Sequence, residues 1–482
     1  LTGFKPEILY TDALVFALLA VVLAFAWFAR RHEHLRQPWR RVAASRSGMA
    51  AATVLAFYAA VGLLDTLHYR PQLPGEPGKP PVYSVEVLSL LDWIAEPLRT
   101  RKEKTYSAPF ATHLYAKETI ELPDGRQVRD FPRLKYGGAH LADPARDRAA
   151  DIATRAAKGL LAAAALWLAA AGLITARVAR RRGAGLAGGW RALWRGETGV
   201  QWNAVLVSLA VILALAGPLA ALCTHYHVLG TDKVGQDVFY LSLKSIRTGL
   251  VIGTLTTLVM LPFALLLGIM AGYFRGWVDD VIQYAYTTLS SIPGVLLIAA
   301  AVLMVHVYIE TRPELFPTIT QRQDMRLLFL CLILGITSWT GLCRLLRGEA
   351  LKMRELEFIQ AAHAFGVPHL RVITRHILPN VMHIVLIAMV LDFSVLVLAE
   401  AVLSYIGVGV DPTMISFGTM INAARLEMAR EPMVWWSLAS AFVFMFLLVL
   451  AANLFADAVR DAFDPRLRVQ GAEGAALAGG AA

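Results

Sequence analysis

Charge and cysteine are both scarce in this chain. Asp, Glu, Lys and Arg make up 17% of its 482 residues, against 57% hydrophobic, and the mean hydropathy is +0.53. Soluble domains carry roughly 25% charged residues, so a water-soluble protein of this size is excluded. The three cysteines form no disulfide framework. Cys331 and Cys343 fall on one expected helix, 12 positions apart. That separation is about 18 Å, too far to bridge, so they read as small apolar fillers. A phosphate-cradling G-x-x-x-x-G-K-[ST] loop is missing. The nearest fragment, Gly78-Lys79, runs into Pro80 and lacks the first glycine, so ATP hydrolysis is not assigned to this chain. The 12 histidines show no H-E-x-x-H or paired ligand spacing, so a metal enzyme has no support. His306, inside an apolar run, reads as a packed side chain.

Acidic residues are the scarcer sign, leaving a net charge of +10. Much of the excess lies in short Arg-rich loops beside apolar runs, the signature of cytoplasmic loops rather than of nucleic-acid binding. A transmembrane helix needs about 20 mostly apolar residues. Nine runs qualify, near 9–29, 48–67, 158–177, 202–222, 245–271, 281–308, 327–346, 381–403 and 435–456. Pro262 and Pro293 lie in two of them and mark expected kinks. Arg30-Arg31 follow the first run rather than precede it. The expectation is a membrane anchor with an outside N-terminus and not a cleaved leader, and a chain that ends in the cytoplasm.

Residues 30–47 and 177–195 carry arginine clusters and are placed in the cytoplasm. Residues 68–157 are of mixed charge and are read as a small extracytoplasmic α+β domain. Within it, 84–98 has helical apolar spacing, and 117–131 alternates around a Pro123-Asp124-Gly125 turn signal. The domain is either a spacer or a docking site for a partner. Residues 183–190 (GAGLAGGW) read as a flexible linker or an interfacial segment, and Trp435-Trp436 as an interfacial anchor. Between His227 and Asp237, Gly230 permits a tight turn and Asp232 is a candidate cap for the helix that follows. In the eighth span, Asp392 sits mid-helix and Glu400 near one end. Each costs about 2.5–3.5 kcal/mol at a bilayer centre, so each must face a pathway or a partner. The eight-residue separation leaves about 80° between them, which allows one shared face.

The stretch that organises the rest is 344–380 (RLLRGEALKMRELEFIQAAHAFGVPHLRVITRHILPN). It is a basic segment between two apolar runs, and Gly366 and Pro368 stop one helix and start another. Ala361, Ala362 and Gly366 would let another surface approach the backbone closely. An ordinary solvated loop has the same composition.

Ala361-Ala362-x-x-x-Gly366 followed by Arg375-His376-Ile377-Leu378-Pro379-Asn380 resembles the cytoplasmic coupling loop of permease subunits in bacterial ABC importers. The RHILPN ending is similar to the oligopeptide/dipeptide branch. Gln360 stands where that family often has Glu, and His376 where it often has Ile. A second resemblance is H-x-L-G-T-D-x-x-G-x-D over His227–Asp237, with Gly230, Thr231, Asp232, Gly235 and Asp237 in register and Gln236 replacing the usual Arg. Glu400 with Leu403-Ser404-Tyr405-Ile406-Gly407 fits the family's E-A-x-L-S-F-L-G pattern, whereas Asp392 is peculiar to this chain.

The resemblance covers mostly 190–468. It implies an all-α, six-helix importer permease core (200–468), and the Gly/Ala composition of 469–482 predicts a disordered tail. Ahead of the core stand N-terminal membrane helices (1–67), the 68–157 domain and an extra helix with a basic linker (158–199). It further implies a second permease subunit, two ATPase subunits holding ATP and Mg, an extracytoplasmic solute-binding protein, and no cofactor on this chain. Glu357, Gln360, Ala361, Ala362, Gly366, Arg375, His376, Leu378 and Pro379 would form the coupling surface. The 230–237 motif would lie near the binding protein, and Asp392 and Glu400 would be candidates for the translocation path. Asp392 is then either a protonated structural residue or a contact for a peptide's amino terminus. A nickel or metal-chelate permease shares these motifs, and a scaffold or channel without an ATPase is the reading from another class.

Overall fold

The computed structural model describes residues 3–73, 81–121, 127–316 and 318–463. Gly78-Lys79-Pro80, the Pro123-Asp124-Gly125 turn, Pro317 and the tail beyond Phe463 lie outside the described residues.

The chain begins with β1 (Phe4–Glu7), followed by α1 (Tyr10–Arg31), α2 (Glu33–Ala44) and α3 (Arg46–Thr66). β2 (His68–Pro71) and β3 (Leu88–Ser89) lead to the short helices α4 (Leu90–Ile94) and α5 (Glu96–Thr100). A hairpin of β4 (Glu118–Glu121) and β5 (Gln127–Asp130) precedes α6 (Pro144–Arg182), α7 (Leu186–Trp194) and α8 (Trp202–Leu222). The remainder is helical: α9 (Val238–Phe274), α10 (Gly276–Ser291), α11 (Gly294–Glu310), α12 (Ile319–Ser338), α13 (Thr340–Arg354), α14 (Glu357–Ala364), α15 (His369–Val372), α16 (Leu378–Ile406), α17 (Phe417–Glu427) and α18 (Trp436–Phe463).

Eight helical stretches among the described residues are long and apolar enough to cross a bilayer on their own. The expected sixth span differs. α10 and α11 are bent by 86° at the break that ends in Pro293. Ile292 ahead of the proline is in extended backbone, which ends α10, and Pro293 caps the start of α11. Pro262, by contrast, lies within the unbroken α9. α9 ends at one face of the bundle, and α12 starts at the other, where Asp324 meets Thr11 of α1. The bent pair therefore carries the chain across once, which makes nine crossings.

α9 fixes the two faces. At 1.5 Å per residue its 37 residues span about 55 Å. One end sits beneath the region built from β1–β5, and the other meets the 344–380 stretch. α1 and α18 both start at the first face and end at the second, so the described termini lie on opposite sides.

The sheet at the first face holds a pairing absent from the sequence reading. β1, ahead of the first spanning helix, pairs antiparallel with β2, from Phe4 opposite Pro71 to Glu7 opposite His68, and β2 pairs with β3. The β4–β5 hairpin matches the alternation read at 117–131. The helical spacing at 84–98 resolves into β3, α4 and α5 because Pro97 forces a new helix start. α6 begins at Pro144 with Asp143 as its cap, so helix extends into the stretch read as the outer domain. The Gly-rich 183–190 piece is no linker: Leu186 to Trp190 belong to α7, whose Gly189 fits against Ala179 of α6.

The segment before residue 200 is not a detachable layer. Gly62 of α3 packs on Leu250 of α9, Gly48 on Ala458 of α18, and Gly159 of α6 on the Gly217 backbone of α8. Small residues bring these backbones together where lipid supplies no hydrophobic drive. Buried charges reinforce the contact. Lys244 of α9 reaches Asp65 (2.7 Å) and Asp92 (3.1 Å), and Arg247 reaches Asp12 (2.6 Å), which also meets His68 (2.7 Å).

Candidate coupling elbow and outer cap

At the second face α13 ends at Arg354, α14 covers Glu357–Ala364, and a turn through Gly366 leads to α15. Gly366 sits at φ +71°, a left-handed conformation that suits glycine at a helix end. The second helix is longer than the sequence suggested. From α15 it runs through a π-turn, Ile373–Ile377, into α16 without a break. A single rigid rod thus joins the elbow to a membrane-crossing helix.

The expected coupling residues divide by exposure. Glu357, Gln360, Ala361, Gly366, Arg375 and Pro379 are exposed, while Ala362, His376 and Leu378 are half-buried. Ile359, Val372 and Ile377 are fully buried beneath them and fasten the elbow to the bundle. Gln360 donates from Nε2 to the Glu355 carbonyl (3.2 Å), so its polar end serves the elbow itself. The sequence reading missed the outer apolar surface. Phe365 is 87% exposed and Leu370 73%, which is unfavourable in water unless another surface covers them.

Four polar links tie the elbow to the end of α9 and to α10. The Tyr273 hydroxyl meets His363 (3.1 Å) and His369 (2.8 Å), one on each side of the Gly366 turn. Arg354 donates to the Tyr273 carbonyl (2.9 Å). Arg347 makes a two-pronged contact with Asp279 (2.6 and 2.7 Å), and Arg275 pairs with Glu355 (2.5 Å). These partners are 68 to 96 residues apart, and no local pattern announces them.

At the first face the His227–Asp237 turn is covered, not open. Gly230, Thr231, Gly235 and Asp237 are buried. Gly235 has φ +73°, and a Cβ there would lie 1.9 Å from the Glu103 carbonyl oxygen, so only glycine fits. Asp237, not Asp232, caps α9 by accepting from the Phe239 and Tyr240 amides (2.8 and 3.3 Å). Asp232 instead closes the turn by accepting from Val234 and Gln236 (3.0 and 2.8 Å). Two aspartates five residues apart both precede the helix, and only the nearer one reaches its first amides. Trp436 is likewise no interfacial anchor. It is 2% exposed and donates to the Thr231 carbonyl (2.9 Å), while Trp435 remains exposed.

Glu103 closes this site. It accepts from the Lys135, Tyr136 and Gly137 amides (2.9, 2.8 and 3.1 Å) and lies 3.4 Å from His227 Nε2, whose Nδ1 is 2.8 Å from Asp237. Burial works against both charges, but the contacts prevail. His227 and three amides draw the Glu103 carboxyl down to about 2. Burial lowers His227, yet Asp237 and Glu103 raise it to about 9. An imidazolium between two carboxylates therefore seals the cap on α9. Glu103 went unseen in the sequence because it lies 124 residues from His227 and no local pattern joins them.

The two carboxylates of α16 part company. Glu400 is buried and accepts from Ser404 (2.7 Å) and from Ser416 (2.9 Å), the residue that caps α17. It fastens α17 to α16 and, unlike Asp392, spends its carboxylate on partners within the chain. Asp392 is half-buried and has no hydrogen bond or ion pair among the described residues.

Comparison with known proteins places this architecture. Residues 264–469 match the family model described as binding-protein-dependent transport system inner membrane component. The chain is 32% identical over 242 residues to the oligopeptide transport system permease protein OppC of Mycobacterium tuberculosis, covering 50% of this chain and 77% of the relative. It is 32% identical over 244 residues to the glutathione transport system permease protein GsiD of Pectobacterium atrosepticum, covering 50% and 73%. To the dipeptide transport system permease protein DppC of Bacillus subtilis it is 27% identical over 242 residues, covering 50% and 69%. Nine membrane crossings, an elbow fused to a crossing helix and these likenesses agree: the chain belongs to the inner-membrane component, or permease, family of binding-protein-dependent transport systems.

Proposed function

We propose that this chain is the permease subunit of an ATP-driven importer that moves di- or oligopeptides across the bacterial cytoplasmic membrane. The elbow at 355–380 is the cytoplasmic handle gripped by a separate ATPase, with ATP and Mg held there. The 68–157 region lies outside, with the N-terminus outside and the C-terminus in the cytoplasm. A second permease completes the pathway, and an extracytoplasmic binding protein delivers cargo. The observation that carries this reading is mechanical. An exposed apolar tip at Phe365 and Leu370 is continuous with α16 and tied by Tyr273 to α9. A push on that tip moves two crossing helices together, as alternation between two discrete arrangements requires.

Asp392 supplies the chemistry for cargo. A half-buried carboxylate without a polar partner in a crossing helix suits a peptide's ammonium group. The relatives' names favour peptide over nickel chelate.

The test is uptake in cells together with recovery of the ATPase on the purified chain. Ala361→Trp should leave the chain in the membrane, release the ATPase and lower dipeptide uptake about tenfold or more, a loss of about 1.4 kcal/mol of docking. Full ATPase recovery with unchanged uptake would overturn the handle. Competition by nickel chelates but not by dipeptides would overturn the cargo.

A further inference from the structure

The helices added ahead of the core carry a basic, apolar-walled cavity that neither the coupling elbow nor the outer cap uses. It has a volume of about 780 Å³ and lies against the last turns of α6 and the first residue of α8. Arg177, Arg180 and Arg181 supply its charge, and Leu173, Val178 and Trp202 supply apolar wall. No acidic residue lines it. Among the described residues these three arginines have no ion pair, whereas the next one, Arg182, is bound to Glu197 at 3.2 Å. Glu197 is also the sole acid between Leu173 and Trp202, against six arginines.

A second feature sets the depth of this cavity. α7 lies beside it, and Ala192 and Leu193 are buried on its inner side. Trp190 and Trp194 are 38% and 39% exposed, with their rings 5.6 Å apart edge to face. Paired indoles on an amphipathic helix mark the boundary between hydrocarbon and headgroups. The arginines therefore stand at phosphate level, while Leu173, 74% exposed and one turn back along α6, stands at acyl level.

We propose that this cavity is a binding site for one anionic phospholipid, with the phosphodiester on Arg177, Arg180 and Arg181 and an acyl chain along Leu173 and Trp202. Charge complementarity selects the occupant. A zwitterionic lipid brings a cationic head into a wall with three free guanidiniums, and a protein segment would have to be acidic and amphipathic at once. A bound lipid would wedge α6 against α8, so the occupied site braces the added helices against the core.

The experiment uses the full chain in its purified assembly, with lipid retention read by native mass spectrometry. The probes are phosphatidylglycerol, phosphatidylcholine and inorganic phosphate. The wild-type chain should retain phosphatidylglycerol at least about tenfold over phosphatidylcholine. The variant R177Q/R180Q/R181Q should lose about a hundredfold in that retention, given roughly a fivefold effect per basic residue at a membrane surface. Because these side chains are exposed, the variant should fold, and R460Q, an exposed arginine at the end of α18, should retain lipid like wild type. Inorganic phosphate at millimolar concentration should not displace the lipid. Equal retention of the two lipids, an unaffected triple variant, the same loss in R460Q, or displacement by free phosphate would each overturn the site.

Discussion

Lys244 illustrates how much rests on single side chains in a low-dielectric setting. It neutralises Asp65 and Asp92 together, and Asp92 also accepts from Tyr240 (2.7 Å). Removing the ammonium strands two buried carboxylates, at a cost of about 3–5 kcal/mol. Lys244→Ala should therefore lower the thermal midpoint of the purified chain far more than Lys352→Ala, whose lysine is 75% exposed in its pair with Glu349. Comparable midpoints for the two variants would contradict the interlock.

The Glu103–His227–Asp237 contact makes a signed prediction about pH. Glu103 is held down to about 2 from a usual 4.5, so its stabilisation is present above 4.5 and fades as pH falls toward 2. His227 is raised from 6.5 to about 9, so its stabilisation is present below 6.5 and is lost as pH rises through 9. Amide exchange in residues 103–115 should be slowest between pH 4.5 and 6.5 after correction for intrinsic rates. His227→Gln should remove the alkaline limb alone. An unchanged alkaline limb in that variant would show that His227 does not seal the cap. Within the same turn, Gly235→Ala should cost about 1–2 kcal/mol from backbone conformation alone, before its collision with Glu103 is counted.

Elements differ in how openly the sequence announces them. The nine apolar runs were legible because hydrocarbon demands about 20 apolar residues whatever the neighbours are. The β4–β5 hairpin was legible through its alternation, and the elbow through Gly366, Pro368 and the motif around them. β1 was not, because its register depends on β2, more than 60 residues away across two crossing helices. Trp436 read as an interfacial anchor since it adjoins Trp435, and only the fold brings Thr231 beneath it. Glu400 read as a pathway residue because its apolar surroundings are local, whereas Ser416 arrives from the next loop. Local pattern sets where elements lie, and long-range polar contacts set what their charged residues do.

On the proposed function, transport coupling would depend on the elbow's attachment. Arg347→Ala should weaken uptake at unchanged ATPase binding, because the Asp279 contact joins α13 to α10 and not to the docking face. The charge exchange Asp279→Arg with Arg347→Asp should restore more uptake than either single variant, as expected of a direct pair. A double variant no better than the worse single one would place the coupling elsewhere. The Arg275–Glu355 pair is about half exposed on both sides, and its loss should matter little, about 0–1 kcal/mol.

At the scale of the whole molecule, α9 separates two faces of opposite character. One carries the sheet and the carboxylates of the Glu103–His227–Asp237 cap, and the other gathers the arginine clusters of the α1–α2, α6–α7 and α13–α16 connections. Helices ahead of residue 200 are bolted to the core by Lys244, Arg247 and the small-residue contacts of α3 and α6. On the proposed function, a push at the elbow would act on a bundle of nine crossings and not six.

The most direct measurement is site-specific accessibility and cross-linking at the elbow in intact membranes. Ala361→Cys would be placed in a chain with Cys223, Cys331 and Cys343 replaced by Ser, beside a cysteine-scanned ATPase subunit. A disulfide should form between residue 361 and the ATPase with a yield that changes when ATP is added, and an impermeant maleimide applied outside the cell should not label residue 361. Labelling from outside, or the absence of any cross-link to the ATPase, would contradict the coupling elbow.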